Sequence, residues 1–267
     1  MTDAAHPFVN SPLLLASLSS PETADLRSRI ELVLIPVGAH EQHGPNIAVS
    51  TDTVSADALC RAAAARLGPR VAVAPAVPWG VSWHHMRFAG TITLRPETLI
   101  AVLEDIIGSL HAHGFRRFLV VNGHGGNNAV IATAIEQVKQ AVGVPLVASV
   151  FGYALIAEQA RRVLPATAIG HGGADEAAVV LAVAPECAKP GAFSAPDLTG
   201  RQAETAALLQ AYGGTLARHY DEVTRSGATA DATAATADLG RQMLDGAVRR
   251  LADIVEVLLR EAAEMED

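Results

Sequence analysis

The stretch ELVLIPV, residues 31–37, runs directly into GAHEQHGPNIAVSTDT, residues 38–53, and from there into a segment of helical period that ends at residue 67. The first part is short, β-branched and apolar on both faces, as a strand buried on both sides of a parallel sheet must be. Strand, polar loop and helix in that order make one unit of an α/β fold, and the unit recurs. RVAVAPAV (70–77), FRRFLVVNG (115–123) and VPLVASVF (144–151) read as further strands. Helices are expected over 96–113, with Pro96 suited to a first turn, and over 127–142. Such alternation needs crossover connections, hence a mostly parallel sheet covered by helices on both faces. After residue 151 the pattern turns helical, with segments at 153–164, 174–184, 201–222 and 234–264. The last reads as a docked surface helix. TRSGATADATAATADLG (224–240), rich in Ala, Thr and Gly, reads as a flexible connector.

The 267 residues, half of them hydrophobic, suffice for one large domain spanning 1–267. A net charge of -8 without clustered Lys and Arg argues against nucleic acid as a partner. Cys60 and Cys187 stand singly in apolar contexts and read as ordinary thiols. SPLLLASLSS near the start is a brief apolar run without the pattern of a secretory signal, and no run approaches the roughly 20 apolar residues that cross a bilayer. A soluble, cytoplasmic protein without membrane partners is expected.

In open α/β sheets ligands bind beyond the carboxyl ends of the strands, so position becomes informative. Glu41, His43 and Asp52 follow the first strand, His84 and His85 (SWHHMRFAGT) the second, and His124 (NGHGGNN) the third. GHGGADEAA, with His171, Asp175 and Glu176, precedes a helix after the fourth. Brought to one edge, these imidazoles and carboxylates suit Zn(II), Mn(II) or Fe(II), and the lack of cysteine ligands favours a catalytic over a structural site. Each residue also has a plainer role. Asp52 suits the N-cap of its helix, His84 and His85 a polar rim, and the glycines of NGHGGNN a tight turn or an anion cradle. His6, His40, His111, His113 and His219 are set aside.

At these residues the chain resembles the creatininase family of metal-dependent amidohydrolases. The family pattern E-x-H-G-P-H with a later T-D is similar to EQHGPN and STD here, S-x-E-H-x-x-F-P-G-T to SWHHMRFAGT, and H-A-G-x-x-E-T-S to HGGADEAA. N-G-H-G-G-N stands intact at 122–127, and GATADATAAT resembles a degraded late element. The resemblance implies a three-layer α/β/α sandwich with a mostly parallel sheet, and a homo-oligomer of the hexameric kind. It implies two divalent metal ions, one held by Glu41, Asp52 and His124 and one by His43 and Asp52, with Asp52 between them. Where creatininase places a glutamate ligand this chain has Gly126, so Glu176 or a water completes the second site. Asn46, His84, Ala89, Ala177 and Ala178 are further departures.

The implied reaction is hydrolysis of an unactivated amide, cyclic amide or formamide bond by a metal-bridged hydroxide. His171 is the candidate general acid, and Glu176 is counted with it among the catalytic residues. His85, Gly125, Gly126 and Asn127 are the expected substrate contacts. The expected substrate is a small amide-type molecule. Gly125 and Gly126, where creatininase itself carries an aromatic and an acidic residue, disfavour creatinine. Trimming of a precursor peptide and a non-catalytic ligand-binding role are the alternatives. A nucleotide binder is disfavoured by the absence of G-x-G-x-x-G.

Overall fold

The computed structural model describes residues 11–264, so His6 lies outside the described residues. A five-stranded sheet is built from β1 (Leu13–Leu14), β2 (Leu32–Val37), β3 (Val71–Val73), β4 (Arg117–Asn122) and β5 (Leu146–Phe151). Every pairing is parallel and the order is β1-β3-β2-β4-β5. The helices are α1 (Ser20–Leu26), α2 (Thr51–Leu67), α3 (Pro96–Ala112), α4 (Asn128–Ala141), α5 (Gly152–Ala160), α6 (Ala174–Val183), α7 (Ala203–Ala211) and α8 (Ala237–Glu264).

Alternation along the central strands divides the core. Val33, Ile35, Phe118 and Val120 pack with Leu103 of α3 and Ile131 of α4. Leu34, Leu119 and Val121 face the other way, toward Leu59 of α2, Leu155 of α5, and Met243 and Leu251 of α8. Both faces of the central strands are thus covered, which is why β2 carries no polar residue. The arrangement is the expected three-layer sandwich.

Several segments differ from the sequence reading. The run SPLLLASLSS contributes β1, which pairs with residues 72–73 as an edge strand too short to announce itself. It leads to α1, whose start is a capping box between Ser19 and Glu22. The helix expected over 201–222 stops at Ala211, where Gly213 adopts φ +73 and Gly214 N–H closes back on the Leu209 carbonyl at 2.8 Å. The expected connector at 224–240 is a packed strap. Thr224, Ala228, Ala230 and Ala232 are buried, and the Thr229 N–H donates to the His171 carbonyl at 2.8 Å. Small side chains give it the composition of a linker, and the same small side chains let it lie tight against Gly44, Gly172 and Gly173. Among the described residues, no helix is long and apolar enough to cross a membrane.

Candidate metal centre

β2 lies between β3 and β4, and the chain leaves its carboxyl end toward one and returns to the other. The loops after β2 and β4 therefore part at this point and leave a crevice, the usual place for a ligand in such sheets. Glu41 and His43 come from the first loop, Asp52 from the first turn of α2, and His124 from the loop after β4. All four are buried. Asp52 is not the N-cap of α2. Ser50 holds that position, and no side-chain cap bond is made.

The two central imidazoles are set in the same way. His43 Nδ1 donates to the Glu41 carbonyl at 3.0 Å, so its Nε2 faces Asp52 Oδ1 at 3.3 Å and Glu176 Oε2 at 3.8 Å. His124 Nε2 donates to the Val81 carbonyl at 3.1 Å, so its Nδ1 faces Glu41 Oε1 at 3.1 Å and Asp52 Oδ2 at 3.3 Å. An imidazole whose outer N–H is fixed on a carbonyl presents its other nitrogen in the form that binds a metal. Asp52 turns one oxygen to each ring. Glu41 Oε2, His43 Nε2 and Asp52 Oδ2 are buried without a hydrogen-bond partner. A buried polar atom left so is costly, and a cation between these atoms removes the cost. Residues and site fit divalent metal.

Electrostatics agree with the geometry. Burial works against a charge on His43, but Asp52, Glu176 and Glu41 overcome it and push the ring up to about 10. His124 is likewise raised against its burial, by Glu41 and Asp52. Burial works against ionisation of Asp52, yet His43 and His124 hold its carboxyl below the usual range. Burial, joined by Asp175 and Asp52, pushes Glu176 up to about 8, so the pocket carries an acidic group short of positive charge.

Around this centre stand groups of a second kind. His171 Nε2 donates to the Gln42 carbonyl at 2.7 Å, which leaves Nδ1 toward Glu41 Oε1 at 3.7 Å. Burial, then the charge on His43, lowers its pKa well below the usual value and keeps it neutral. His85 is buried at the centre, which overturns its reading as a polar rim. Its Nδ1 accepts from the Gln42 side-chain amide at 2.7 Å, and its Nε2 faces Glu41 at 3.5 Å. His84 stacks on His124 with ring centres 5.6 Å apart, and burial and that neighbour lower it to about 4. Gly125 and Gly126 line the pocket. Asn127 does not serve as expected. Fully buried and outside the pocket lining, its amide accepts from Val81 N–H at 2.8 Å and donates to the Gly38 carbonyl at 3.0 Å and Asn122 Oδ1 at 3.2 Å, so both its N–H donors go to latching loops.

Two residues escaped the sequence reading. Gln42 sits inside the quoted motif, between two more conspicuous residues, and ties His85, the Gly227 carbonyl (3.0 Å) and the Gly44 N–H (2.8 Å) together. Tyr220 roofs the pocket, its ring 3.9 Å from His85 and 4.9 Å from His171 between centres. Its segment, Tyr220–Glu222, is held by Arg87, which pairs with Asp221 at 3.2 Å and Glu222 at 3.3 Å. No local signal marks Tyr220, because only the fold brings it over the centre. A Cβ on Gly227 would collide with the Gln42 side chain. Gly227→Ala is therefore expected to displace His85 and lower turnover about 100-fold while metal content holds. Elemental analysis beside a rate measurement checks this.

The departures from the family pattern also find places. Asn46 donates to the Gly172 carbonyl at 2.8 Å and so ties the loop after β2 to that of His171. A Cβ on Gly126 would strike His124 Nε2 and the Val81 carbonyl, so no side chain fits there without rearrangement. Ala178 is buried under α8.

A family model described as creatinine amidohydrolase matches residues 16–255. The chain belongs to the creatininase family. As a member it is a hydrolase acting on carbon–nitrogen bonds. Among curated creatininase relatives, the mycofactocin precursor peptide peptidase of Mycobacterium tuberculosis (strain H37Rv) is 32% identical over 258 residues, covering 90% of this chain and 92% of its own. Creatinine amidohydrolase of Pseudomonas putida is 34% identical over 110 residues, covering 39% of this chain and 42% of its own. The crystal structure of a creatinine amidohydrolase (creatininase) shares the fold, with a TM-score of 0.80 at 22% identity over 93% of this chain and 98% of that one.

Proposed function

We propose that this creatininase-family chain is a metal-dependent hydrolase of an unactivated amide-type bond, with two divalent ions held around Asp52. Glu41, Asp52 and His124 would hold one, and His43, Asp52 and Glu176 the other. The observation that carries this reading is the Asp52 carboxylate, which turns Oδ1 to His43 and Oδ2 to His124 amid buried atoms that have no other partner. Glu176 takes the place left by Gly126, which has no room for a side chain. Bound divalent ions of the zinc, manganese or iron kind would polarise the carbonyl and make water nucleophilic near neutral pH.

The chain's own groups do the rest. His171, neutral and with Nε2 fixed on the Gln42 carbonyl, has Nδ1 free to take a proton in the pocket. It can then return that proton to the departing nitrogen, which is too basic to leave as an anion. The general-acid role expected of it thus begins with a step as base. Gly125, Gly126 and His85 border the space where the substrate lies. Tyr220 covers His85 and His171 on one side of that space.

A peptide substrate is the second reading. It is favoured by the peptidase relative, whose similarity covers 90% of this chain, whereas that of the creatinine-cleaving relative covers 39%. The test is metal per chain by elemental analysis, on wild type, Glu176→Ala and His171→Asn. About two ions are expected in wild type and about one in Glu176→Ala. His171→Asn is expected to keep its metal and to lose 10²- to 10⁴-fold in turnover, roughly the contribution of a general acid–base residue. A wild-type chain that takes up no Zn(II), Mn(II) or Fe(II) would sink the reading and leave a ligand-binding role ahead.

A further inference from the structure

The inner pocket, about 280 Å³, adjoins a cleft of about 820 Å³. The two share His84, Gly125, Gly126 and Tyr220. The larger volume is at the upper end for small-molecule sites, so a substrate that fills both is elongated. Glu222 and Arg218 both line the cleft. Glu222 is engaged by Arg87 at 3.3 Å. Among the described residues Arg218 has no carboxylate partner, and one of its nitrogens, Nη1, donates to the Arg201 carbonyl at 3.2 Å. A guanidinium has five N–H donors in a planar fork, so most of this one is left for something else. The adjacent His219 also lines the cleft, and its Nδ1 is buried without a hydrogen-bond partner. Trp83, half exposed at 50%, adds an aromatic surface to the same cleft.

This placement is unusual for the chain as a whole. The net charge is -8 and the inner pocket is lined by Glu41, Asp52 and Glu176, yet the adjoining cleft carries a cation with no acid to pair with among the described residues. A planar fork with free N–H donors is what receives a carboxylate, by two parallel hydrogen bonds.

We propose that Arg218 binds a carboxylate carried by the part of the substrate remote from the scissile bond. The substrate class is then an extended acidic amide, a peptide or acylated amino acid with a free carboxylate, and not a compact neutral ring. The position of the scissile bond rests on the hydrolase reading above. The anion subsite stands on the cleft alone.

The test uses matched hexapeptides, each made with a free C-terminal carboxylate and as its C-terminal amide, with Glu or Gln at each internal position. Equilibrium binding is read by mass spectrometry on zinc-loaded and on metal-free full-length protein, for wild type, Arg218→Gln and Arg218→Lys. The metal-free arm separates Arg218 from direct ligation of zinc by the peptide. Wild type is expected to hold its preferred acidic peptide about tenfold tighter than the neutral match, with and without zinc, about 1.4 kcal/mol. Arg218→Gln is expected to abolish the difference and Arg218→Lys to keep part of it, with zinc content and Tm unchanged. An acid preference that survives Arg218→Gln, equal binding of acid and neutral forms, or no binding of any peptide to metal-free protein overturns the proposal. The two readings fail separately. Zinc-dependent turnover without acid preference removes only the anion subsite, whereas an Arg218-dependent preference in a chain that takes up no metal removes only the hydrolase.

Discussion

Asp52→Ala is expected to leave a folded chain that takes up almost no metal and has lost at least about 10³-fold in turnover, some 4 kcal/mol of transition-state stabilisation. Asp52 is the one carboxylate whose two oxygens face the two imidazoles of the centre. No neighbour can replace it, because Glu41 turns to His124 and Glu176 to His43. The loss is visible without a substrate. A ligand at a thousand times its Kd stabilises the folded state by about 4 kcal/mol. For a chain of this size that raises Tm by roughly 10 °C. Saturating zinc is expected to give that shift in wild type and none in Asp52→Ala.

The pH dependence has a definite sign. Without metal, the surrounding carboxylates push His43 up to about 10 and raise His124, and burial pushes Glu176 up to about 8, so all three hold a proton near pH 7. A metal binds the unprotonated nitrogen or carboxylate and must displace those protons, so uptake weakens as pH falls and releases about three protons per chain near neutrality. Calorimetry in two buffers of different ionisation enthalpy measures that number. An Asp52→Ala chain that still carries two ions would exclude the assignment of Asp52 between them.

Gly240→Ala is the second large effect, and its sign is decided by two opposed terms. In a helix interior alanine is favoured over glycine by about 1 kcal/mol. Here, however, a Cβ would fall on the Ala178 carbonyl, which belongs to the backbone of α6 and cannot swing aside. Overpacking of this kind costs about 1–3 kcal/mol, or more where backbone must move. The net expectation is destabilisation by about 2 kcal/mol and a fall in Tm of roughly 5 °C, read by thermal denaturation. Ala178 lies two residues from Glu176, so the displaced helix is also expected to weaken metal uptake. A stabilised variant would mean that α8 does not approach α6 as closely as described.

The sheet and most of the centre were legible because their signals are local. Residues 32–37 and 118–121 are apolar on both faces, which few structures other than a buried parallel strand require. Glu41, His43, Asp52 and His124 follow such strands, and strand ends are where open sheets bind ligands. What was missed depends on distance along the chain. Tyr220 meets His85 across 135 residues and Gln42 meets Gly227 across 185, and neither pair has a local pattern. The strap at 224–240 was misread because alanine and threonine are as suited to a flexible linker as to a narrow space beside glycines. Asn127 looked like a substrate contact by its place in NGHGGN. A side-chain amide can equally latch loops, and only its partners distinguish the roles.

The strap also bears on when the centre can exist. Glu41, Asp52 and His124 are made early, but His171 is held by the Thr229 N–H, and the Ala174 N–H at the start of α6 donates to the Asp231 carbonyl at 3.0 Å. During synthesis the chain emerges from its amino end at about 5–20 residues per second, so the first half of the sheet is outside the ribosome well before residue 231. Until then His171 and Glu176 lack the segment that seats them. A nascent chain therefore offers a metal only part of its ligands, and complete loading belongs to the finished polypeptide.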